Sequence, residues 1–490
     1  MAVAPLAEQS SDFPLSFEQR ISGACGVALP NSDVPSAQND ASLPQHLRSE
    51  YKPNLPELGE LDVVRHMTRL SHRVFSIDEN FYPLGSCTMK YNPRVNERVA
   101  AMPGFAHLHP YQRESDVQGM LELHYQLRHF LQEISGLAEV SLQPAAGAHG
   151  EMTGLMIIEA YHRARGENRR MVLAPDSAHG TNPASCTICS MGSTKIRSRK
   201  DGRVDLDDLR SKVDENTAAL MITNPNTCGI FDDQIADIAE ILHAKGALLY
   251  YDGANMNATL GIIRPGDVGV DVMHFNTHKT FSTPHGGGGP GAGPVGVCKR
   301  LSPYLPKPQV IKKSDGTFAW DYDRPESIGR VRSFYGQGGV LVRAYTYIRS
   351  LGPEGLRRVS RRAVLAANYI AAQIKHRYPM PFPAPYAHEF ITVPEFSDLG
   401  VNERDFAKRL IDYGIHPPTM SWPIMHCLMI EPSETESLAT LDRFCEVMIK
   451  MADEAREQPE LLRSAPHDMP VGRLDEVGAN RKPNVRWRPE

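Results

Sequence analysis

The sequence predicts an α/β fold, with a large domain on a mostly parallel sheet and a smaller α/β domain toward the C-terminus. From about residue 117 to residue 280, short apolar runs alternate with amphipathic stretches, as they do where helices connect parallel strands. Polar clusters directly follow the strand-like runs, and ligands of such sheets bind at the carboxyl ends of the strands. A chain of 490 residues is also longer than one ordinary core requires, so we expect more than one domain.

Four segments are expected along the chain. A polar, proline-rich start favours an extended arm followed by one helix, and a polar, arginine-rich end favours an extended tail. The predicted segments are the arm and helix at 1–85, the large domain at 86–345, the small domain at 346–455 and the tail at 456–490.

Hydrophobic periodicity places the elements of both domains. An amphipathic helix is predicted for 117–135, where Met120, Leu127 and Ile134 share one face. Predicted strands of the large domain cover 139–142, 171–174, 195–199, 217–223, 247–251, 270–277 and 293–299, with helices between most of them, including 206–213 and 233–245. Long helices at 338–349 and 355–376 lead to a small α/β unit made of 388–393, 404–413, 428–431 and a helix at 435–455.

Composition excludes several classes of protein. Hydrophobic residues make up 41% and charged residues 23%, a soluble globular balance. The net charge of −5 gives no reason to expect a nucleic acid or an anionic membrane as a partner. Eight cysteines are too few for a disulfide scaffold and fit the cytoplasm. Cys186 and Cys189 form a lone C-x-x-C, so we expect a helical coincidence and no metal site.

The stretch from 247 to 297 carries the main chemical signal. Asp252 follows one buried strand, and His278 and Lys279 follow a later one, before a run of glycines at 286–289. A lysine in this position can hold pyridoxal phosphate (PLP) as a Schiff base, and the acid can pair with the protonated pyridine nitrogen. The ordered combination favours this reading over a surface lysine beside a flexible loop.

Further clusters fit the same cofactor. Ala146, Gly147 and Ala148 lie between a strand and a helix, so their N–H groups can face a phosphate, and His278 is a second phosphate candidate. His179 can stack on the ring, and Asn224 can donate to its phenolate oxygen. Each also has a simpler explanation: a small-residue turn, a satisfied core or loop histidine, or a turn-forming Asn-Pro-Asn.

The sequence leaves two interpretations open for each of two loops. The glycine run at 286–289 is a candidate mobile lid, since glycine backbone approaches a ligand closely, although such a run can also be a linker. The segment at 81–97, with Pro, Gly, Ser and two aromatics, is equally consistent with a connector and with the mouth of an active site.

Seven strings resemble one known family: FYPLGSCTMKYNP, LQPAAGAHGE, DSAHGTNPAS, ITNPNTCGIFD, YYDGANMNA, NTHKTFSTPHGGGGPGAGPVGV and LMIEPSETES. The family is glycine dehydrogenase (decarboxylating), the P-protein of the glycine cleavage system. The resemblance spans about residues 60–450 and implies PLP fold type I, with Lys279 as the Schiff-base lysine. Asp252, His179, Asn224 and the turn at 145–149 correspond by position.

The resemblance also implies a reaction and partners. Glycine loses CO2, and its aminomethyl group passes to the lipoyl arm of H-protein. The chain length is similar to that of the lysine-bearing half of a two-subunit form, which implies a partner subunit 1, with two copies of each. Alternatives are an aminotransferase or another amino-acid decarboxylase of the same fold type, and a non-catalytic scaffold subunit, against which Lys279 argues.

Overall fold

The structure, a computed structural model, describes residues 55–286 and 291–485, together with short stretches between residues 14 and 49. The chain divides into two units, Asn80–Arg463 and a second unit made of Met1–Glu79 with Ser464–Glu490. Most of the predicted N-terminal arm and residues 287–289 of the glycine run lie outside the described residues. None of the described helices is both long enough and apolar enough to cross a membrane.

Helices and strands alternate through most of the described residues. The helices are α1 Glu60–Ser71, α2 Arg94–Ala100, α3 Pro103–Ala106, α4 Gln118–Ser135, α5 Gly147–Ala164, α6 Thr181–Ile188, α7 Leu206–Lys212, α8 Ile235–Ala244, α9 Gly338–Ile374, α10 Glu403–Asp412, α11 Leu438–Glu457, α12 Pro459–Arg463 and α13 Glu476–Arg481. The strands are β1 Glu139–Ser141, β2 Met171–Pro175, β3 Gly192–Ile196, β4 Thr217–Thr223, β5 Leu248–Gly253, β6 Val272–Phe275, β7 Val295–Val297, β8 Gln309–Lys312, β9 Phe318–Asp321, β10 Phe390–Thr392, β11 Thr419–Met420 and β12 Leu428–Ile430.

A seven-stranded sheet in the order β1-β7-β6-β5-β4-β2-β3 forms the centre of the larger unit. Strands β2 to β6 pair in parallel, whereas β7 runs antiparallel to both of its neighbours, β1 and β6. The apolar run of β4 is buried in all but its last residue, as expected for a strand covered on both faces. The predicted α/β class with a mostly parallel sheet is confirmed.

A smaller antiparallel sheet, in the order β10-β12-β11, has its own hydrophobic cluster. Phe390, Phe406 and Phe444 are fully buried there, between the sheet and helices α10 and α11. Helix α9 contributes to both clusters and bends at Gly352, whose φ is +61°, just before Pro353. Proline cannot continue the preceding hydrogen-bond ladder, which explains the break between the two predicted helices.

Some predicted elements need correction. The third strand was predicted at 195–199, but β3 ends at Ile196, and residues 198 and 204 form an isolated bridge after it. The predicted extended tail contains the short helices α12 and α13. Pro459 begins α12 at a position where a missing N–H costs nothing. The domain bounds themselves stay a prediction.

Candidate active site

Lys279 lies in the turn that follows β6, at the carboxyl edge of the large sheet. Its backbone N–H donates to the carbonyl of Asn276 at 3.1 Å. Its Nζ donates to the carbonyl oxygen of Ser86 at 2.6 Å. The lysine therefore projects from the large sheet toward the segment at 81–97, and that segment is part of the site.

Asp252 occupies the end of the neighbouring strand β5, with 3% of its surface exposed. Its Oδ1 lies 3.3 Å from His274 Nε2 and accepts the Ala254 N–H at 3.0 Å, while Oδ2 accepts from Asn182 at 3.2 Å. Burial acts to raise the pKa of Asp252, but His274, the two hydrogen bonds and Lys279 outweigh it, so the pKa is lowered. Asp252 is thus a buried carboxylate that keeps its charge.

A buried polar network supports Asp252. Glu151, on α5, accepts from Thr181 at 2.7 Å, from Ser185 at 3.0 Å and from Asn182 at 3.2 Å. Asn182 therefore bridges Glu151 and Asp252. On the other side, the Tyr250 hydroxyl lies 2.8 Å from His274 Nδ1. Sequence reasoning did not find these supporting residues; for Glu151, the signal was a single charge in the stretch 150–158, whose other residues are small or apolar.

The turn containing Ala146, Gly147 and Ala148 lies at the N-terminus of α5. A side chain at Gly147 would overlap the amide group of Asn276, and one at Gly293 would overlap the Ala146 carbonyl. The helix N-terminus is therefore packed directly against the strand end that leads to Lys279. Its first N–H groups are the kind of donors that bind phosphate.

His278 is partly buried and forms an edge-on contact with His285, with ring centroids 5.1 Å apart. Burial, with His285 and Lys279 nearby, lowers the pKa of His278 to about 3. At neutral pH the ring is uncharged, and its buried Nδ1 has no hydrogen-bond partner among the described residues. His278 can therefore offer a hydrogen bond, but not a positive charge, to a ligand.

His179 and Asn224 lie at the same edge of the sheet. His179 Nδ1 accepts the Thr181 N–H at 3.3 Å, so the neutral ring carries its proton on Nε2. The Asn224 side chain donates to the Asp232 carbonyl at 3.0 Å and accepts the Asp232 N–H at 2.8 Å. These bonds are those of a turn former, so the predicted role of Asn224 toward a ring oxygen stays a prediction.

Two glutamates that adjoin strands β10 and β12 of the small sheet also reach this edge. Glu389 accepts the Ser86 N–H at 2.6 Å, and Glu431 accepts the Thr88 N–H at 3.2 Å and its hydroxyl at 2.5 Å. Residues 86–88, called the Ser86 turn below, thus join Lys279 to two acids more than 300 residues away in sequence from the turn. Separation on this scale explains why sequence patterns did not reveal them.

Family models cover most of the chain. Residues 35–315 match the model described as "Glycine cleavage system P-protein", and residues 359–467 match "Glycine dehydrogenase, C-terminal domain". The first match alone spans more than half of the chain, and it includes Lys279 and Asp252.

Curated relatives match over nearly their full length. A protein of Shouchella clausii named "Probable glycine dehydrogenase (decarboxylating) subunit 2" is 54% identical over 483 residues, covering 98% of both chains. A protein of the same name from Halalkalibacterium halodurans is 55% identical over 482 residues, covering 98% of this chain and 99% of that one.

Solved structures share the fold. A glycine decarboxylase (P-protein) of the glycine cleavage system aligns with a TM-score of 0.73 at 22% identity, over 84% of this chain and 93% of that one. A sphingosine-1-phosphate lyase of Burkholderia pseudomallei aligns with a TM-score of 0.62 at 16% identity, over 85% and 96%. The fold is the fold type I architecture that the sequence resemblance implied, and the chain belongs to the P-protein family of the glycine cleavage system.

Proposed function

We propose that this chain is the PLP-carrying subunit of glycine decarboxylase, equivalent to subunit 2 of the two-subunit form. The observation that carries the proposal is Lys279 at the sheet edge beside the buried, ionised Asp252, in a chain of this family. The lysine would bind the cofactor aldehyde, and the aspartate would pair with its pyridine nitrogen. A scaffold subunit would have no use for this pair.

The described residues fit PLP. Several buried polar atoms around the edge have no hydrogen-bond partner among the described residues, which is the state expected of groups that await a polar ligand. These atoms are Asn182 Oδ1, Thr223 Oγ1, Asn276 Oδ1, His278 Nδ1, Thr283 Oγ1 and His285 Nε2. We assign the phosphate to the N–H groups of Ala146, Gly147 and Ala148 with His278, and the ring face to His179.

Each residue has a definite task in the proposed reaction. When bound, PLP supplies an electron sink for the bond to the glycine carboxylate. Asp252 would keep the ring nitrogen protonated, because His274 and Asn182 favour the charge of its own carboxylate. His179 would lie against the ring face, and Lys279 would hold the cofactor until glycine takes its place.

Partners follow from the same proposal. The aminomethyl group needs an acceptor, which we assign to the lipoyl arm of H-protein, and the chain needs a subunit 1 without the lysine, with two copies of each. We also place the enzyme in the cytoplasm, since the described cysteines are all free thiols.

Exchange of labelled bicarbonate into the carboxyl group of glycine tests the function. The chain is co-expressed with subunit 1 and supplied with PLP and lipoylated H-protein. We expect exchange that depends on H-protein and is lost in Lys279→Ala. Lys245→Ala, which alters a lysine just after α8, is the matched control and should retain exchange.

Failure of the exchange has a distinct meaning if the cofactor still binds. A borohydride-reducible adduct at Lys279 without any exchange would contradict glycine decarboxylation but not PLP binding. The aminotransferase and other decarboxylase readings would then be tested with a panel of amino acids.

A further inference from the structure

Three buried side chains of the small sheet region form a compact cluster beside the lysine. His388, Glu389 and Glu431 are each at most 3% exposed, and one imidazole nitrogen and one oxygen of each carboxyl group lie within 4.8 Å of one another. Two carboxylates this close in a dry environment repel each other strongly. The cluster therefore needs a compensating positive charge or a proton.

The two carboxyl groups have unequal surroundings. Glu431 accepts four hydrogen bonds, which come from the Thr88 N–H and hydroxyl, from Asn255 at 2.9 Å and from Asn257 at 3.3 Å. Among the described residues, the Glu389 carboxyl accepts only the Ser86 N–H. Hydrogen bonds to a carboxylate favour its charged form, so the negative charge is better supported on Glu431 than on Glu389.

Other titratable groups near the pair supply little charge. Those that face it are Lys279, Cys87, Cys228, His285 and His388. Burial lowers the pKa of both histidines and raises the pKa of both thiols, so all four are neutral near pH 7. Lys279 is the one cation in this set.

Burial and the neighbouring Glu431 raise the pKa of Glu389 well above its ordinary value.

The pair is connected to Lys279 through the Ser86 turn. Ser86 and Thr88 have positive φ angles of 65° and 45°, which side chains rarely adopt without support. Glu389 accepts a hydrogen bond from the Ser86 N–H, and Glu431 accepts one from the Thr88 N–H. The Ser86 carbonyl accepts a hydrogen bond from the Lys279 ammonium. The two acids thus fix the position of the group that binds the lysine.

We propose that Glu389 and Glu431 share one proton, so that the pair presents a single negative charge to Lys279 and positions it through the Ser86 turn. The single charge balances the ammonium of the lysine whenever the lysine is not bonded to the cofactor. The inference rests on the proposed function in that Lys279 is the residue that reacts with PLP. Glu389 and Glu431 are positioning residues in this scheme.

The pH dependence of PLP attachment tests the shared proton. PLP is added to the cofactor-free complex, and the rate of imine formation with Lys279 is followed by absorbance, because only the neutral amine reacts. With one shared proton, Glu389→Gln or Glu431→Gln alone still leaves one negative charge. We expect each single variant to keep the midpoint pH within roughly 0.3 units of the wild type, and the double variant to lower it by about 1 unit or more.

Several outcomes would overturn the inference. A lowered midpoint in each single variant would mean that both acids are ionised, and an unchanged midpoint in the double variant would mean that the pair does not act on Lys279. One bound divalent metal per chain in the purified protein would mean that a cation, not a proton, balances the pair. Glu389→Gln/Glu403→Gln is the matched control for the double variant, because Glu403 is bonded to Ser421 and His426 and not to the acid pair. Its midpoint pH should equal that of the wild type.

An infrared measurement on the wild type keeps the test valid if the variants do not fold. The protein is labelled with ¹³C-glutamate and examined at about pH 8.5, above the pKa of about 7 that burial gives Glu436. A protonated-carboxyl band that shifts with the label is expected, and its absence would refute the shared proton. Neither measurement uses glycine, so loss of bicarbonate exchange with the expected midpoints would contradict the glycine reaction alone.

Discussion

Asp252 retains its charge although almost none of its surface is exposed, because His274, Asn182 and a backbone N–H all favour the carboxylate. Asp252→Asn removes that charge with little change of shape. We expect bicarbonate exchange to fall about 10²- to 10³-fold, as when one preorganised electrostatic partner is lost. Asp207→Asn, on the surface of α7, is the control, and an Asp252→Asn rate within a few-fold of wild type would contradict the assigned role.

His124 gives the unfolding free energy a pH dependence. It lines a cavity of about 380 Å³ with Trp320 and Tyr335, and burial lowers its pKa from 6.5 to about 4. Between these values the unfolded chain binds more protons than the folded one, so stability is full above about pH 6.5 and declines toward pH 4. We expect His124→Leu to flatten this decline in thermal unfolding midpoints. Parallel curves for variant and wild type would show that His124 is not responsible.

Residues whose positions depend on neighbours in sequence were predictable, and residues whose positions depend on distant contacts were not. Lys279 and Asp252 stand out because each directly follows an apolar strand, and strand ends meet at one edge. The position of Glu389 could not be predicted in this way, since its hydrogen-bond partner Ser86 lies 303 residues away in sequence. Asn224 shows a different limit of sequence analysis, because an Asn-Pro-Asn segment looks the same whether its first asparagine forms a turn or contacts a cofactor.

At the scale of elements, helix α5 depends on glycines that let it approach the sheet. A methyl group at Gly293 would overlap the Ala146 carbonyl at the start of the helix. We expect Gly293→Ala to weaken PLP binding by about 1–3 kcal/mol, the usual cost of overpacking, measured by titration of the cofactor-free protein. Gly119→Ala in α4, where an added methyl group would meet no atom within 4 Å, should leave PLP affinity unchanged. Equal affinities for the two variants would argue against a phosphate site at this turn.

Elements with strong periodicity were located well from sequence. The apolar run at 217–223 coincides with β4, and the amphipathic stretch at 117–135 differs from α4 by one residue. Strand β3 was displaced, because its residues Gly192–Ile196 are largely exposed at the sheet edge and carry no alternating pattern. Edge strands of this kind leave little trace in composition.

Across the larger unit as a whole, Lys90 joins the segment at 81–97 to both sheets. Its buried Nζ donates to Glu434 and to the Thr280 carbonyl at 2.8 Å each, and it lies 3.3 Å from both Asn257 Oδ1 and the Tyr347 hydroxyl. Although burial opposes the charge, Glu434 and Tyr347 keep the pKa of Lys90 above its ordinary value. The ammonium is therefore a fixed link between the turn after Lys279 and the small sheet.

Removal of this link should destabilise the entire unit. We expect Lys90→Met to reduce the unfolding free energy by about 3–5 kcal/mol, because Glu434 is left buried without its partner. Lys90→Met/Glu434→Gln removes both charges and should recover part of the loss. A thermal midpoint of Lys90→Met equal to that of the double variant would show that the unpaired charge of Glu434 does not cause the loss.

The Ser86 turn has a consequence for the evolution of this chain. Lys279 belongs to the segment matched by the P-protein model, whereas Glu389 and Glu431 belong to the segment matched by the C-terminal domain model. Residues of the second segment therefore hold the turn that contacts the lysine. Recombination between relatives near residue 340 would combine a lysine and an acid pair that were never selected together. Substitutions in the two segments must therefore be selected together, even though each segment has a hydrophobic core of its own.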